Sequence, residues 1–149
     1  KHHQDIEAKL IIVGTGPLES RIKWYISENK VSDIILSLGW VTSETLWSLY
    51  QGALAVIMPS LWAENCPLVA LEALSVGTPV IGSDKGGIPE IIGKLDQNLI
   101  AGSLEDLVNI LKGFDRNRYP HQKIRELYMS NYSATSYMAQ YFRLLDRNI

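Results

Sequence analysis

The sequence predicts an α/β fold in which helices cover both faces of a parallel sheet. Three observations point there. Runs that read as strands alternate with segments of helical periodicity. The strand-like runs, such as KLIIV and ALAVIM, are apolar throughout rather than alternating, as a sheet buried on both faces requires. The 149 residues, 46% hydrophobic and 20% charged, make about one domain, long enough to bury a core.

Residues 9–13 (KLIIV) form the first strand, which Gly14-Thr15-Gly16-Pro17 ends; Pro17 suits the start of a helix. Over residues 18–30 the side chains of Leu18, Ile22, Tyr25 and Ile26 share one helical face. Residues 33–38 (DIILSL) are a second strand, closed by Gly39. Thr42 caps a helix over residues 43–51, with Glu44 in its first turn. Residues 53–58 (ALAVIM) are a third strand that Pro59-Ser60 stops. Residues 67–76 form a helix with Pro67 as its first residue and Gly77 just past its end. A fourth strand covers residues 79–82, Gly86-Gly87 turn the chain, and residues 88–92 make one helical turn. A short last strand lies near Leu99-Ile100, followed by an amphipathic helix over residues 104–112. After a polar break at residues 115–120, helices over 121–131 and 133–146 complete the chain. No repeat or linker interrupts this order.

Fourteen Lys and Arg against sixteen Asp and Glu give a formal net charge of −2, which argues against a dedicated nucleic-acid binder. The single cysteine, Cys66, cannot form an internal disulfide, and nothing indicates an oxidising compartment. No apolar run reaches the length of a membrane span, and the start, KHHQDIEAK, has no signal-peptide character. The expected location is the cytoplasm.

Ligands of open α/β sheets bind beyond the carboxyl ends of the strands, here the loops at residues 14–17, 39–42, 60–66 and 83–87. Two carboxylates stand out. Glu72 lies in a helix that is otherwise almost wholly apolar and therefore expected to be buried, where a charge needs a partner or a ligand. Glu64 precedes the same helix. Counted from Pro67, Glu72 is roughly 7.5 Å along the axis at about 1.5 Å per residue, so the two carboxylates can meet different parts of an elongated ligand. The helix start between them favours an anion such as a diphosphate. Charge pattern alone leaves a second reading open: Glu64 as an ordinary charge at a helix dipole, and Glu72 as a salt-bridged helix residue.

The E-x7-E pattern Glu64-Asn65-Cys66-Pro67-Leu68-Val69-Ala70-Leu71-Glu72 resembles the signature of retaining glycosyltransferases of family 4, also called group 1. The surroundings match as well: Pro59-Ser60 before it, Ala73 and Gly77-Thr78-Pro79-Val80-Ile81 after it, then Gly86-Gly87-Ile88-Pro89-Glu90. Upstream, Val13-Gly14-x-Gly16-Pro17 and Leu38-Gly39-x-Val41 also fit. The similarity runs from about Lys9 to Lys112. It implies the C-terminal, donor-binding half of a GT-B fold, a Rossmann-like domain of residues 1–149 with its core at about 9–112 and C-terminal helices at 118–147. By the same resemblance Glu64 is the catalytic group at the donor sugar and Glu72 accepts hydrogen bonds from the ribose. Asn65, Cys66, Pro67 and Leu68 offer backbone N–H groups to sugar and diphosphate, Trp40 and Val41 border the base, and Gly14 and Gly16 let their loop approach closely. The implied reaction transfers a hexose from a UDP- or GDP-sugar to an acceptor hydroxyl with retention, in polysaccharide or glycolipid synthesis. It needs neither metal nor cofactor. The implied partners are the nucleotide-sugar donor, an N-terminal acceptor domain and a glycan or lipid acceptor that can be membrane-linked, which would place the full-length protein at the inner membrane face.

The departures from the family pattern are specific. The usual opening strand, with its diphosphate-binding Arg and Lys, is not found; Lys1, His2 and His3 do not replace it. Asn65-Cys66-Pro67 stand where a small or aromatic residue and Gly are usual, and residues 93–98 replace a Gly-rich loop. The absent strand belongs between the first and third strands, in an order 2-1-3-4-5. Either those two strands close up and pair, or the chain is a piece of a longer one and marginally stable alone; by the resemblance, the chain binds the donor and is inactive alone. Trp24 and Trp47 read as packing residues, Trp62 as a candidate ligand contact, Lys85 and His121 as solvated, and Cys66 as a small apolar filler rather than a nucleophile at the helix start. The last helix packs on this domain or crosses to a partner domain. Competing readings are a nucleotide-sugar epimerase of the same fold, a non-enzymatic nucleotide- or sugar-binding module, and a plain interaction domain.

Overall fold

The computed structural model describes residues 8–146, so Lys1, His2 and His3 fall outside it. The chain divides into two compact units, Lys1–Leu46 and Trp47–Ile149. In the first, β1 (Leu10–Val13), α1 (Glu19–Glu28) and β2 (Ile35–Gly39) make a strand–helix–strand unit whose strands pair in parallel, Leu10 opposite Ile35. Pro17 lies in the preceding turn, and α1 begins two residues later than the proline signal suggests. The helix ends in a Schellman motif: Lys30 N–H donates to the Ser27 carbonyl and Val31 N–H to the Ile26 carbonyl. Lys30 takes the left-handed position at φ 53° that glycine usually fills. Trp24 is 62% exposed, against the packing role expected. It is two residues from both half-buried Ile22 and buried Ile26, so it projects from the opposite side of α1.

Helix α2 (Ser43–Gly52) runs from the first unit into the second, and its start is capped as expected, Thr45 N–H donating to Thr42 Oγ1 at 3.3 Å. The second unit then holds β3 (Val56–Met58), α3 (Leu68–Ser75), β4 (Val80–Ser83), α4 (Ile88–Ile92), β5 (Ile100–Ala101), α5 (Leu104–Gly113), α6 (His121–Asn131) and α7 (Ala134–Asp146). Strand β3 starts later than the apolar run, because Ala53 N–H turns back to the Tyr50 carbonyl at the end of α2 and Leu54 is exposed.

The three strands form a parallel sheet in the order β3-β4-β5, Val56 opposite Val80 and Gly82 opposite Ile100. Val80 and Ile81 of the central strand are fully buried, with Leu74, Ile88, Ile92, Leu99 and Ile124 packed into the same core. The fold class is the α/β class expected, but the strands form two sheets, β1-β2 and β3-β4-β5. Helix α7 carries the expected apolar stripe, yet Tyr137, Met138, Tyr141, Phe142 and Leu145 are all exposed and no α7 residue is buried. Packing of that stripe on this domain is therefore not observed. Among the described residues no helix is long and apolar enough to cross a membrane.

Candidate functional site: two anchored carboxylates at the start of α3

Strand β3 ends at Met58 because Pro59 has no N–H to continue the ladder. The loop that follows carries Glu64. Ser60 Oγ donates to Glu64 Oε1 at 2.6 Å, which ties the carboxylate back to the strand end. The loop backbone is held from the other side by the turn after β4. Gly87 N–H donates to the Glu64 carbonyl at 2.6 Å. Gly86 has φ +56°, and a Cβ there would lie 2.5 Å from the Glu64 nitrogen; a Cβ on Gly87 would overlap the Asn65 carbonyl oxygen. The glycine pair is thus needed for close approach to the Glu64 loop as well as for the turn. Lys85 of that turn is exposed, as its solvated reading expects, and is paired with Asp84 at 2.6 Å.

Pro67 is the N-cap of α3, not its first residue: its backbone is extended (φ −71°, ψ 100°), and Ala70 N–H reaches its carbonyl. Proline has no side-chain cap to give, and the first turn holds no acidic residue. The N-terminal dipole of α3 is therefore not offset by the helix itself. The helix is less buried than its composition suggests. Leu68 is 66% and Val69 41% exposed, while Ala70, Ala73 and Leu74 are fully buried; the outward side of the first turn faces solvent beside the loop.

Glu72 is half-buried one turn further on. Tyr50 Oη donates to Glu72 Oε2 at 3.2 Å, and no ion pair reaches Glu64 or Glu72 among the described residues. Tyr50 is itself buried, its ring meets Trp47 edge-on at 6.0 Å, and its carbonyl accepts from fully buried Thr78 Oγ1 at 2.6 Å. Burial first, then the Glu72 charge and hydrogen bond, push the Tyr50 phenol up to about 12, so it is a protonated donor at neutral pH.

Glu64, Asn65, Cys66, Pro67, Leu68 and Glu72 therefore lie on one continuous loop and helix start. Cys66 is free and exposed, so it does not fill apolar space as the filler reading expects. Leu61 and Trp62, in the same loop, are 85% and 82% exposed. The other expected residues belong to the first unit. Gly14 follows β1 with φ 121°, and its N–H donates to the Gly39 carbonyl at 2.7 Å. Gly16 lies in open space two residues on. Exposed Trp40 and half-buried Val41 follow β2. Among the described residues no group of three or more His, Cys, Asp or Glu is placed to hold a metal. Sequence reading missed Tyr50 and Thr78, because a tyrosine on a helix and a threonine after a glycine carry no periodic signal of their bonds to Glu72 and to the Tyr50 carbonyl. It also missed Ser60 as a partner of Glu64, although their four-residue spacing is visible.

The model of the glycosyl transferases group 1 family matches residues 1–125. The chain belongs to that family. Among curated proteins it is 40% identical over 85 residues to an uncharacterized glycosyltransferase of Methanocaldococcus jannaschii, covering 57% of this chain and 22% of that one. It is 27% identical over 143 residues to N-acetyl-alpha-D-glucosaminyl L-malate synthase of Bacillus anthracis, covering 92% of this chain and 37% of that one. Among solved structures, a lipopolysaccharide outer core galactosyltransferase in its apo form superposes with a TM-score of 0.76 at 22% identity, over 95% of this chain and 41% of that one. The group 1 chain thus spans between about a fifth and two fifths of the relatives it matches. Its fold and family together fit the C-terminal domain of a GT-B glycosyltransferase.

Proposed function

We propose that this group 1 chain binds the donor of a retaining hexosyl transfer, a UDP- or GDP-linked sugar, as part of a longer enzyme with an N-terminal acceptor-binding domain. The observation that carries the reading is the pair of carboxylates flanking the uncapped start of α3, each with one oxygen engaged by a hydroxyl. A carboxylate with one oxygen so engaged keeps acceptor capacity for ligand hydroxyls. Glu72 takes the ribose hydroxyls, the N–H groups around Pro67 meet the diphosphate and sugar, and Glu64 stands at the reacting sugar. There its negative charge stabilises the positive charge that develops as the glycosidic bond breaks. The roles of Gly14, Gly16, Trp40 and Val41 rest on the resemblance alone. A membrane-linked glycan or lipid acceptor, gripped by the N-terminal domain, and attachment to the inner membrane face belong to the same proposal.

The test is thermal unfolding of the chain with UDP, GDP and their hexose conjugates. At about 100-fold excess over Kd a specific ligand adds about 2.7 kcal/mol. One nucleotide raises Tm, Glu72→Ala removes that rise, and Glu64→Ala keeps the nucleotide effect while losing the increment from the sugar. Absence of a shift with every nucleoside diphosphate refutes donor binding.

A further inference from the structure

We infer that Tyr50 is a positioning residue for donor binding, its phenol fixing one oxygen of Glu72 so that the other is presented to the ligand. The inference rests on the proposed role of Glu72. A glutamate side chain on a helix has three rotatable bonds, and fixing it on binding costs entropy. The 3.2 Å bond from Tyr50 Oη to Glu72 Oε2 removes that freedom before the ligand arrives. The phenol is itself held on several sides. Tyr50 is 7% exposed, its ring is set against Trp47, and Thr78 Oγ1 holds its backbone carbonyl at 2.6 Å from a fully buried position.

Thr78 lies three residues past the end of α3. Its N–H donates to the Ala73 carbonyl and that of Gly77 to Leu74, the C-terminal motif of the helix that carries Glu72. The segment that closes α3 thus also clamps α2 at Tyr50, and the distance between the phenol and the carboxylate is set by two short backbone-anchored links. A phenol suits this task better than a cation would. It fixes the carboxylate without neutralising the charge that ligand hydroxyls are to meet.

The experiment is a double-mutant cycle on the chain, with UDP and GDP as probes, measured by calorimetric titration below the unfolding range. Glu72→Ala weakens the nucleotide that binds by tenfold or more, Tyr50→Phe weakens it about fivefold, as expected when one side chain must be ordered on binding, and the double variant is no weaker than Glu72→Ala alone. With a 2′,3′-dideoxy nucleoside diphosphate, which lacks the hydroxyls, the Tyr50→Phe penalty disappears. A packing role would give the same penalty with either nucleotide and would add to that of Glu72→Ala; either result overturns the inference. If Glu72→Ala weakens binding and Tyr50→Phe does not, the inference falls while the reading of the site stands. If Glu72→Ala has no effect, the reading falls and takes the inference with it.

Discussion

Gly86→Ala tests whether the Glu64 loop is held by backbone-to-backbone contact. The substituted residue would keep φ near +56°, a left-handed position that costs an L-residue about 1 kcal/mol or somewhat more. Its Cβ would sit 2.5 Å from the Glu64 nitrogen, where real Cβ atoms stay beyond 3.0 Å. The obstacle is main chain and cannot swing aside, so the loop must recede by at least about half an ångström; misfit of this kind costs about 1–3 kcal/mol. Together these predict a loss of about 2–4 kcal/mol in urea unfolding, or a fall in Tm of roughly 5–15 °C for a chain of this size. Because a displacement of about 1 Å in a reacting group costs about a hundredfold in rate, a shift half as large predicts roughly tenfold slower sugar transfer in the full-length enzyme. Gly113→Ala is the control: a Cβ there meets open space at the end of α5, and the change is neutral or stabilising by up to about 1 kcal/mol. A Gly86→Ala chain that unfolds at the same urea concentration as the parent would refute the clamp.

Other consequences are open to equally direct measurement. Ser60→Ala removes the donor to Glu64 Oε1 and should lower kcat of the full-length enzyme about tenfold with a smaller change in donor KM, since a bond to a charged group is worth about 1.5–3 kcal/mol; an unchanged kcat would show that Glu64 is positioned without it. Thr78→Val keeps the shape but strips a buried 2.6 Å bond from the Tyr50 carbonyl, and denaturant unfolding should report a loss of about 1–2 kcal/mol. Lys30→Gly relieves the left-handed strain at the end of α1 and should stabilise the chain by up to about 1 kcal/mol in the same assay. Tyr50 and Tyr119 are both raised to about 12, Tyr50 by burial and Glu72, Tyr119 by burial and its hydrogen bond to Asp96. A raised folded-state value means that the stabilisation is complete below the ordinary phenol value of about 10 and is lost as pH rises from there through about 12. Burial and the nearby Glu90 charge raise Tyr132 as well, so phenolate absorbance should show three tyrosines ionising late, with unfolding in the same range, and Tyr50→Phe should leave two.

Much of the molecule follows from the chain read in order. The runs at KLIIV, DIILSL and ALAVIM, the punctuation at Gly39, Gly77 and Gly86-Gly87, and the proline signals determine which segments are strand and which helix, because backbone freedom and apolar burial act locally. The Glu64 to Glu72 spacing and the motifs around it were legible for the same reason: they lie within one loop and one helix. Segment ends were less so. Pro67 caps α3 instead of opening it, and β3 loses its first residues to the turn after α2; such ends depend on hydrogen bonds made after the elements meet. What only the tertiary structure decided is what touches each carboxylate. Tyr50 is 22 residues from Glu72 and Thr78 is 28 from Tyr50, and Gly86 reaches the Glu64 backbone from the next strand's loop. Nothing local sets those distances. They follow from bringing Tyr50 against α3 and the β4 turn against the Glu64 loop, and they turn two acidic residues in a motif into two oriented carboxylates.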